Sequence, residues 1–532
     1  MSAASERSGR LRDVGGSRGV ASFPVTLDRD ASSPLPVQLA ASLRLAIDAA
    51  TLRPGEPVPA TRELASRLGI ARGVVVAAYQ QLIAEGYLSA AQGRATRVNP
   101  DLVPSDAPTE WVSGAGCAAG VAAADASTGA GASEPPLASM PPAPLAPGVA
   151  ITDGVLGSAW RAAWKDAAAA FDEVATAAPP LGVPALRSEI ADHLRRMRGT
   201  RRTPRDVIVT AGTRDGLWLL LTSIGGNRGR ELVVGVEDPG LPSLRGVASR
   251  AGARIVALPA DDEGLDTSRL PRGMLDAVIV TPSHQYPLGG SLPLTRRREL
   301  LAWARTEGVV VVEDDYDSEL RYTGQPLPTL AALDDPQRGV VVLLGTFSRT
   351  LTPALGAGYL IAPQPLRARM EPVRAELGSA VSGVVQHALA RYLASGALRR
   401  HTARMLRRYA ARRDLVSERL AGLPGARVRP MDGGLHAVLE FTDPPEISHA
   451  REAQVTAAAR DEGLAVEALS RYWQRREANG IAGLVLGFGG SDDAAFDVAL
   501  RRLRARILAE SSARERHVTR AGSSRADARH VF

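Results

Sequence analysis

Gly308-Val309-Val310-Val311-Val312-Glu313-Asp314-Asp315-Tyr316-Asp317-Ser318-Glu319-Leu320-Arg321-Tyr322 passes from an unbroken apolar run into a knot of acids. A short continuous apolar run reads as a strand buried on both faces, and such strands belong to parallel sheets covered by helices. Read alone, Asp314, Asp315 and Asp317 would suggest a divalent cation. Successive strand residues point to opposite faces, however, so these carboxylates are expected to turn apart rather than converge.

Outward from this stretch, strand-like runs at 206–211, 231–236, 253–258, 276–281, 308–312 and 339–344 alternate with helical patterns. That alternation predicts an α/β domain around a largely parallel sheet, spanning 150–510. A small subdomain at about 399–509 carries generic strands at 434–441 and 483–488. Residues 99–149 are mostly Ala, Gly, Pro and Ser, with little to bury, and read as a flexible linker. Residues 1–22 and the arginine-bearing tail 511–532 read as disordered.

The 532 residues hold 64 Lys and Arg against 57 acids, a formal charge of +7. Only Lys165 is a lysine, in an amphipathic segment that reads as a solvated helix. A basic chain suits a polyanion, although an Arg-rich, Lys-poor composition is also what a GC-rich genome writes. The one cysteine, Cys117, excludes an intrachain disulfide and a cysteine-rich metal site. No apolar run is long enough to cross a bilayer and the start is polar, so a cytoplasmic protein without membrane partners is expected.

Residues 23–98 have a different texture. Leu39, Leu43 and Ile47 form one helical stripe, Leu64 and Leu68 a second that stops at Gly69, and Val75, Tyr79 and Leu82 a third. Helix, tight turn and helix is the arrangement that lays one helix in the major groove of double-stranded DNA. Residues 87–90 and 97–99 could pair as a hairpin wing. The segment from Leu52 through Pro54-Gly55, Thr61-Arg62-Glu63-Leu64-Ala65 and Leu68-Gly69-Ile70-Ala71-Arg72-Gly73-Val74-Val75 resembles the winged helix-turn-helix of the GntR family. The resemblance implies that Arg62 touches phosphate or base, that Arg72 reaches base edges, and that Gly93 and Arg94 enter the minor groove. A planar guanidinium gives guanine two hydrogen bonds, worth roughly 1 to 3 kcal/mol of discrimination. Ala71 and Gly73 depart from the Ser and the Asn or Thr usual there, removing a helix cap and polar contacts.

Residues 312–322, 281–287 and 345–359 are similar to the fold-type I pyridoxal-phosphate-dependent aminotransferase-like domain of MocR regulators, a GntR subfamily. The resemblance implies an α/β chain with a winged helix-turn-helix ahead of that domain, a homodimer with each head over the partner's body, and a small-molecule effector. It also implies that Asp314 holds the pyridine nitrogen of pyridoxal 5'-phosphate, that Tyr316 meets the ring hydroxyl, and that Thr346 and Ser348 meet the phosphate. In Gly345-Thr346-Phe347-Ser348-Arg349-Thr350-Leu351, however, Arg349 stands where the Schiff-base lysine belongs. A guanidinium cannot lose the proton needed to attack an aldehyde. Gly356 stands for a phosphate-binding arginine, Leu241 for a ring-stacking tyrosine, and Thr213-Arg214-Asp215-Gly216 for a phosphate-side loop. The expectation is therefore a regulator without aminotransferase activity. Its site either uses Arg349 to hold an anion noncovalently, is an empty dimerisation scaffold, or binds the cofactor with altered geometry. The competing class is an aminotransferase-like enzyme with a DNA-binding module.

Overall fold

The computed structural model describes residues 12–14, 23–25, 27–28, 34–48, 51–90, 95–100, 143–170, 176–226, 230–317, 319–322, 328–475, 480–490 and 492–527. Strands β1 (Arg12–Val14) and β2 (Phe23–Val25) pair antiparallel, so the stretch expected to be disordered contributes one short strand.

Helices α1 (Leu35–Asp48), α2 (Thr61–Leu68) and α3 (Arg72–Ala84) build the head, followed by β3 (Leu88–Ser89) and β4 (Arg97–Val98) paired antiparallel. The apolar stripes converge: Leu39, Leu43, Ile47, Leu64, Leu68, Val75, Tyr79 and Leu82 are all buried in one cluster. Gly69 closes α2 with φ of 63°, the left-handed conformation that a residue without a β-carbon adopts cheaply.

Behind the head lies an eight-stranded sheet. It comprises β5 (Val207–Thr210), β6 (Leu232–Asp238), β7 (Ala253–Asp261), β8 (Gly264–Leu265), β9 (Ala277–Val280), β10 (Val310–Asp315), β11 (Val341–Thr346) and β12 (Gly358–Ile361). The order is β5-β12-β11-β10-β9-β6-β7-β8. From β11 to β7 the neighbours are parallel, while β12 runs antiparallel to both β11 and β5. Aliphatic residues on the two faces enter separate clusters, Val311 and Leu343 in one and Val312 and Leu344 in the other. Both faces are thus buried, as the unbroken apolar runs require.

The small subdomain is a four-stranded sheet of β13 (Ala426–Val428), β14 (His436–Phe441), β15 (Glu467–Ala468) and β16 (Gly483–Gly487), ordered β13-β14-β16-β15. Two expectations need correction here. The linker reading stopped at residue 149, yet residues 143–150 are already part of the body: Leu145 and Ala150 are buried. Backbone bonds fix this strap, since Ala465 N–H donates to the Pro144 carbonyl and Gly487 N–H to that of Leu145. Small residues hid it: apart from the buried Leu145 side chain, its anchorage is main chain. The tail expected to be disordered from 511 instead continues the last helix, Asp493–Asp527. Ala, Arg and Glu are good helix formers and carry the pattern onward.

The head rests on the body of its own chain. Leu294 of the body completes the head's cluster, a β-carbon on Gly86 would lie 3.3 Å from that of Leu294, and the Arg298 guanidinium sits 5.4 Å from the centre of the Tyr87 ring. The resemblance placed each head over the partner's body; within the single chain the contact is made in cis.

Candidate functional site

On the head, Arg62 and Arg72 are both exposed, and Arg72 Nε lies 3.4 Å from Thr61 Oγ1. The starts of α2 and α3 thus come together with their arginines pointing to solvent. Ala71 occupies the cap of α3 without a side-chain hydrogen bond, as its methyl group dictates. Gly93 and Arg94 lie outside the described residues.

In the body, Asp314 is set at the carboxyl end of β10, beside Leu344 of β11. It is 4% exposed, and its Oδ1 is buried with no hydrogen-bond partner among the described residues. Burial pushes its carboxyl up to about 8, Asp315 adding to the rise and Arg349 opposing it. Glu237, at the end of β6, is pushed by burial up to about 7, even though the Thr281 amide and hydroxyl both donate to it. The two buried carboxyls also feel each other, the charge of Glu237 adding to the rise at Asp314.

The acids after β10 separate. Asp315 is held by Arg198, and Asp317 accepts from His284 Nδ1 at 3.2 Å to either oxygen. The expected divergence of the three carboxylates is what the strand produces. Tyr316 donates its hydroxyl to the His284 carbonyl at 3.0 Å and lies 3.1 Å from His284 Nδ1. His436 approaches from β14, its Nε2 2.8 Å from the Pro287 carbonyl, and burial lowers its pKa to about 4. Potential metal-ligating atoms of His284, Asp317 and His436 fall within 4.8 Å of one another, but the first two already satisfy each other. Sequence reasoning assigned no role to Glu237, His284 or His436. They reach the site on separate strands and loops, and no local spacing signals that.

Beyond β11 the chain turns sharply. Thr346 Oγ1 accepts from Ser348 N–H at 3.1 Å, and both residues are half-buried. A β-carbon on Gly212, at the start of the helix Thr213–Gly225, would lie 4.0 Å from Thr346 Oγ1. In the first turn of that helix, Asp215 accepts from Ala211 N–H at 3.0 Å, and Arg374 donates to both its oxygens. Gly356 is exposed and far too small to add a charge.

Arg349 is half-buried and, among the described residues, has no hydrogen-bonding or ion-pairing partner. Its charge reaches Asp314, Tyr286, Tyr409 and His436. It is positioned by the strap: a β-carbon on Gly148, where φ is +74°, would stand 3.0 and 3.2 Å from the two terminal guanidinium nitrogens.

Comparison with known proteins agrees with this two-part construction. Residues 35–98 match the family of bacterial regulatory proteins of the gntR type, and residues 152–472 match aminotransferase class I and II. The chain is 44% identical over 477 residues to an HTH-type pyridoxine biosynthesis transcriptional regulator, PdxR, of Corynebacterium glutamicum, covering 89% of this chain and 96% of that one. It is 31% identical over 498 residues to the probable rhizopine catabolism regulatory protein MocR of Rhizobium meliloti, covering 92% and 97%. The fold is shared with the crystal structure of a kynurenine aminotransferase from Pyrococcus horikoshii, at 23% identity and a TM-score of 0.60, over 70% of this chain and 92% of that one. No helix among the described residues is long and apolar enough to cross a membrane. An aminotransferase fold implies a pyridoxal phosphate site, and a GntR head implies DNA. With head, body and near full-length relatives in agreement, the chain belongs to the MocR-type GntR transcriptional regulators, in which a winged helix-turn-helix precedes an aminotransferase class I and II domain.

Proposed function

We propose that this regulator works without covalent cofactor: its aminotransferase-like body binds a small effector noncovalently and dimerises, while Arg62 and Arg72 hold operator DNA. The observation carrying this reading is Arg349, a guanidinium without a partner among the described residues, at the turn after β11, where the family resemblance calls for the Schiff-base lysine. Its proton does not leave, so it cannot form the carbon–nitrogen double bond. Lys165, the chain's sole lysine, is exposed on the helix Ser158–Ala169 and supplies no amine to the site.

The residues suit one part of pyridoxal phosphate and not the rest. Asp314 offers an unpaired buried carboxyl to a pyridine nitrogen, and Thr346 and Ser348 offer hydroxyls. The aldehyde end would meet Arg349, and the phosphate end lacks an arginine at Gly356. Pyridoxal phosphate, when covalently bound, supplies an electron sink. The role named for the Corynebacterium glutamicum relative makes genes of vitamin B6 synthesis the first targets to test.

Regulation follows if an effector prefers one arrangement of head on body over another, since only differential affinity shifts such an equilibrium. The contact of Gly86 and Tyr87 with Leu294 and Arg298 is the surface through which that preference can act, in cis or between the subunits of a homodimer. Incubation with pyridoxal phosphate, borohydride reduction and intact mass measurement test the covalent part. An unchanged mass is expected, and a reduced pyridoxyl adduct refutes it. Salt-dependent retention of the protein's own upstream DNA tests the regulatory part.

A further inference from the structure

We infer that Val76, on the outward face of α3, reads the 5-methyl group of a thymine lying one or two base pairs from the base that Arg72 contacts. The inference rests on the operator-binding reading of Arg72 above and adds what the neighbouring position recognises.

The two ends of α3 have different surroundings. Its far end leads through Gly86 and Tyr87 onto the body, beside Leu294 and Arg298. At a rise of about 1.5 Å per residue, the helix carries its first turn roughly 18 Å from that contact. The first turn is therefore the part free to enter a groove, and the N-terminal residues of a recognition helix are the ones that meet base edges. Helical periodicity sets residues 72, 73, 76, 77 and 80 on one face, opposite Val75, Ala78, Tyr79 and Leu82, which are buried in the head's cluster. Burial agrees: Arg72, Gly73 and Gln80 are exposed, and Val76 and Ala77 are half-buried.

The chemistry of that face selects the base. Arg72 and Gln80 can hydrogen-bond, but Gly73, Val76 and Ala77 between them have no polar side-chain atom to offer. The base edges of the major groove carry one apolar group, the thymine methyl, and aliphatic side chains recognise it. Cytosine in the same place presents an amino donor that Val76 leaves without a partner. Four positions apart, Arg72 and Val76 have β-carbons about 6 Å from each other on the helix surface. Base pairs stack about 3.4 Å apart, so the two contacts fall on neighbouring or next-neighbouring pairs.

Gly73 clears the approach. Its φ is not left-handed, and a β-carbon there would meet nothing within 4 Å, so neither backbone nor packing requires glycine. Glycine weakens a helix. What it leaves is room beside Val76 for a base edge.

A gel-shift titration of the full-length protein with its footprinted upstream DNA tests this, each thymine being replaced in turn by deoxyuridine, which pairs identically and lacks only the methyl group. At least one thymine is expected to respond, its replacement weakening binding about 4-fold, the ratio that burying one methyl group gives. It should lie within two base pairs of the position at which Arg72→Ala relaxes discrimination. Val76→Ser should bind the thymine and deoxyuridine forms equally, whereas Val76→Ile should keep the difference. Should Val76→Ser bind neither form, the isosteric Val76→Thr must show a smaller difference than the native protein. A footprint without a deoxyuridine-sensitive thymine overturns the inference. So does a sensitive thymine farther from the Arg72 position, or one whose effect keeps its full size in the Ser or Thr variant. These outcomes leave the DNA-binding regulator intact, whereas failure of the native protein to retain any upstream DNA sinks both.

Discussion

Arg198 places one terminal nitrogen 2.9 Å from each carboxylate oxygen of Asp315 and donates from the other to Ser283 Oγ at 2.9 Å. Both side chains are almost wholly buried. The pair locks the end of β10 to the loop that carries Ser283 and His284. Removing one charge from such a pair strands the other. Asp315→Asn is expected to destabilise the body by about 3 kcal/mol, read by urea denaturation.

Stability should depend on pH in a way most proteins do not show. Asp314 and Glu237 take up protons more readily when folded than when unfolded, with folded values of about 8 and about 7. The folded state therefore binds more protons across the interval from the ordinary carboxylate range to those values, and stability falls as pH rises through it. Each group contributes a slope of up to about 1.4 kcal/mol per pH unit. Asp314→Asn should flatten the profile between about pH 5 and 8 in chemical denaturation series.

Arg72→Ala should weaken operator binding by about 1 to 3 kcal/mol and relax discrimination at one base position. Because the side chain is exposed, the melting temperature should not move. A gel-shift titration over salt concentration checks both the affinity and the number of phosphates neutralised.

The stripes of the head were legible in the sequence because Leu39, Leu43, Leu64 and Tyr79 obey helical periodicity within short segments. The parallel strands were legible because burial on both faces writes unbroken apolar runs. Strand β12 escaped since its first residue, Gly358, and the Gly356 and Ala357 before it carry no apolar strand pattern. Gly358 is needed there: a β-carbon would meet the Gly345 carbonyl at 2.5 Å. The departures at Arg349, Gly356 and Leu241 could be read against the family pattern. The meeting of Asp317, His284 and His436 could not, because it is made by the sheet and not by spacing along the chain.

Gly148→Ala tests the support of Arg349. A left-handed φ costs an alanine roughly 1 kcal/mol, and the new methyl group also meets the guanidinium. The melting temperature should drop, and pairing the change with Arg349→Gly should recover the steric part only.

Leu294→Glu should free the head from the body. Leu294 begins the body's helix Leu294–Glu307 yet is 3% exposed inside the head's cluster, so a charge there has no solvent to reach. Small-angle scattering should report a larger radius of gyration, with the far-ultraviolet circular dichroism unchanged.

The strap of residues 143–150 gives the molecule a modular seam. The polypeptide arriving from the reading head is clamped to β16 and laid against Arg349 before the rest of the body begins. A chimera spliced ahead of residue 143 would keep this anchorage whole, so a foreign reading head could be grafted on with its tether fastened beside Arg349.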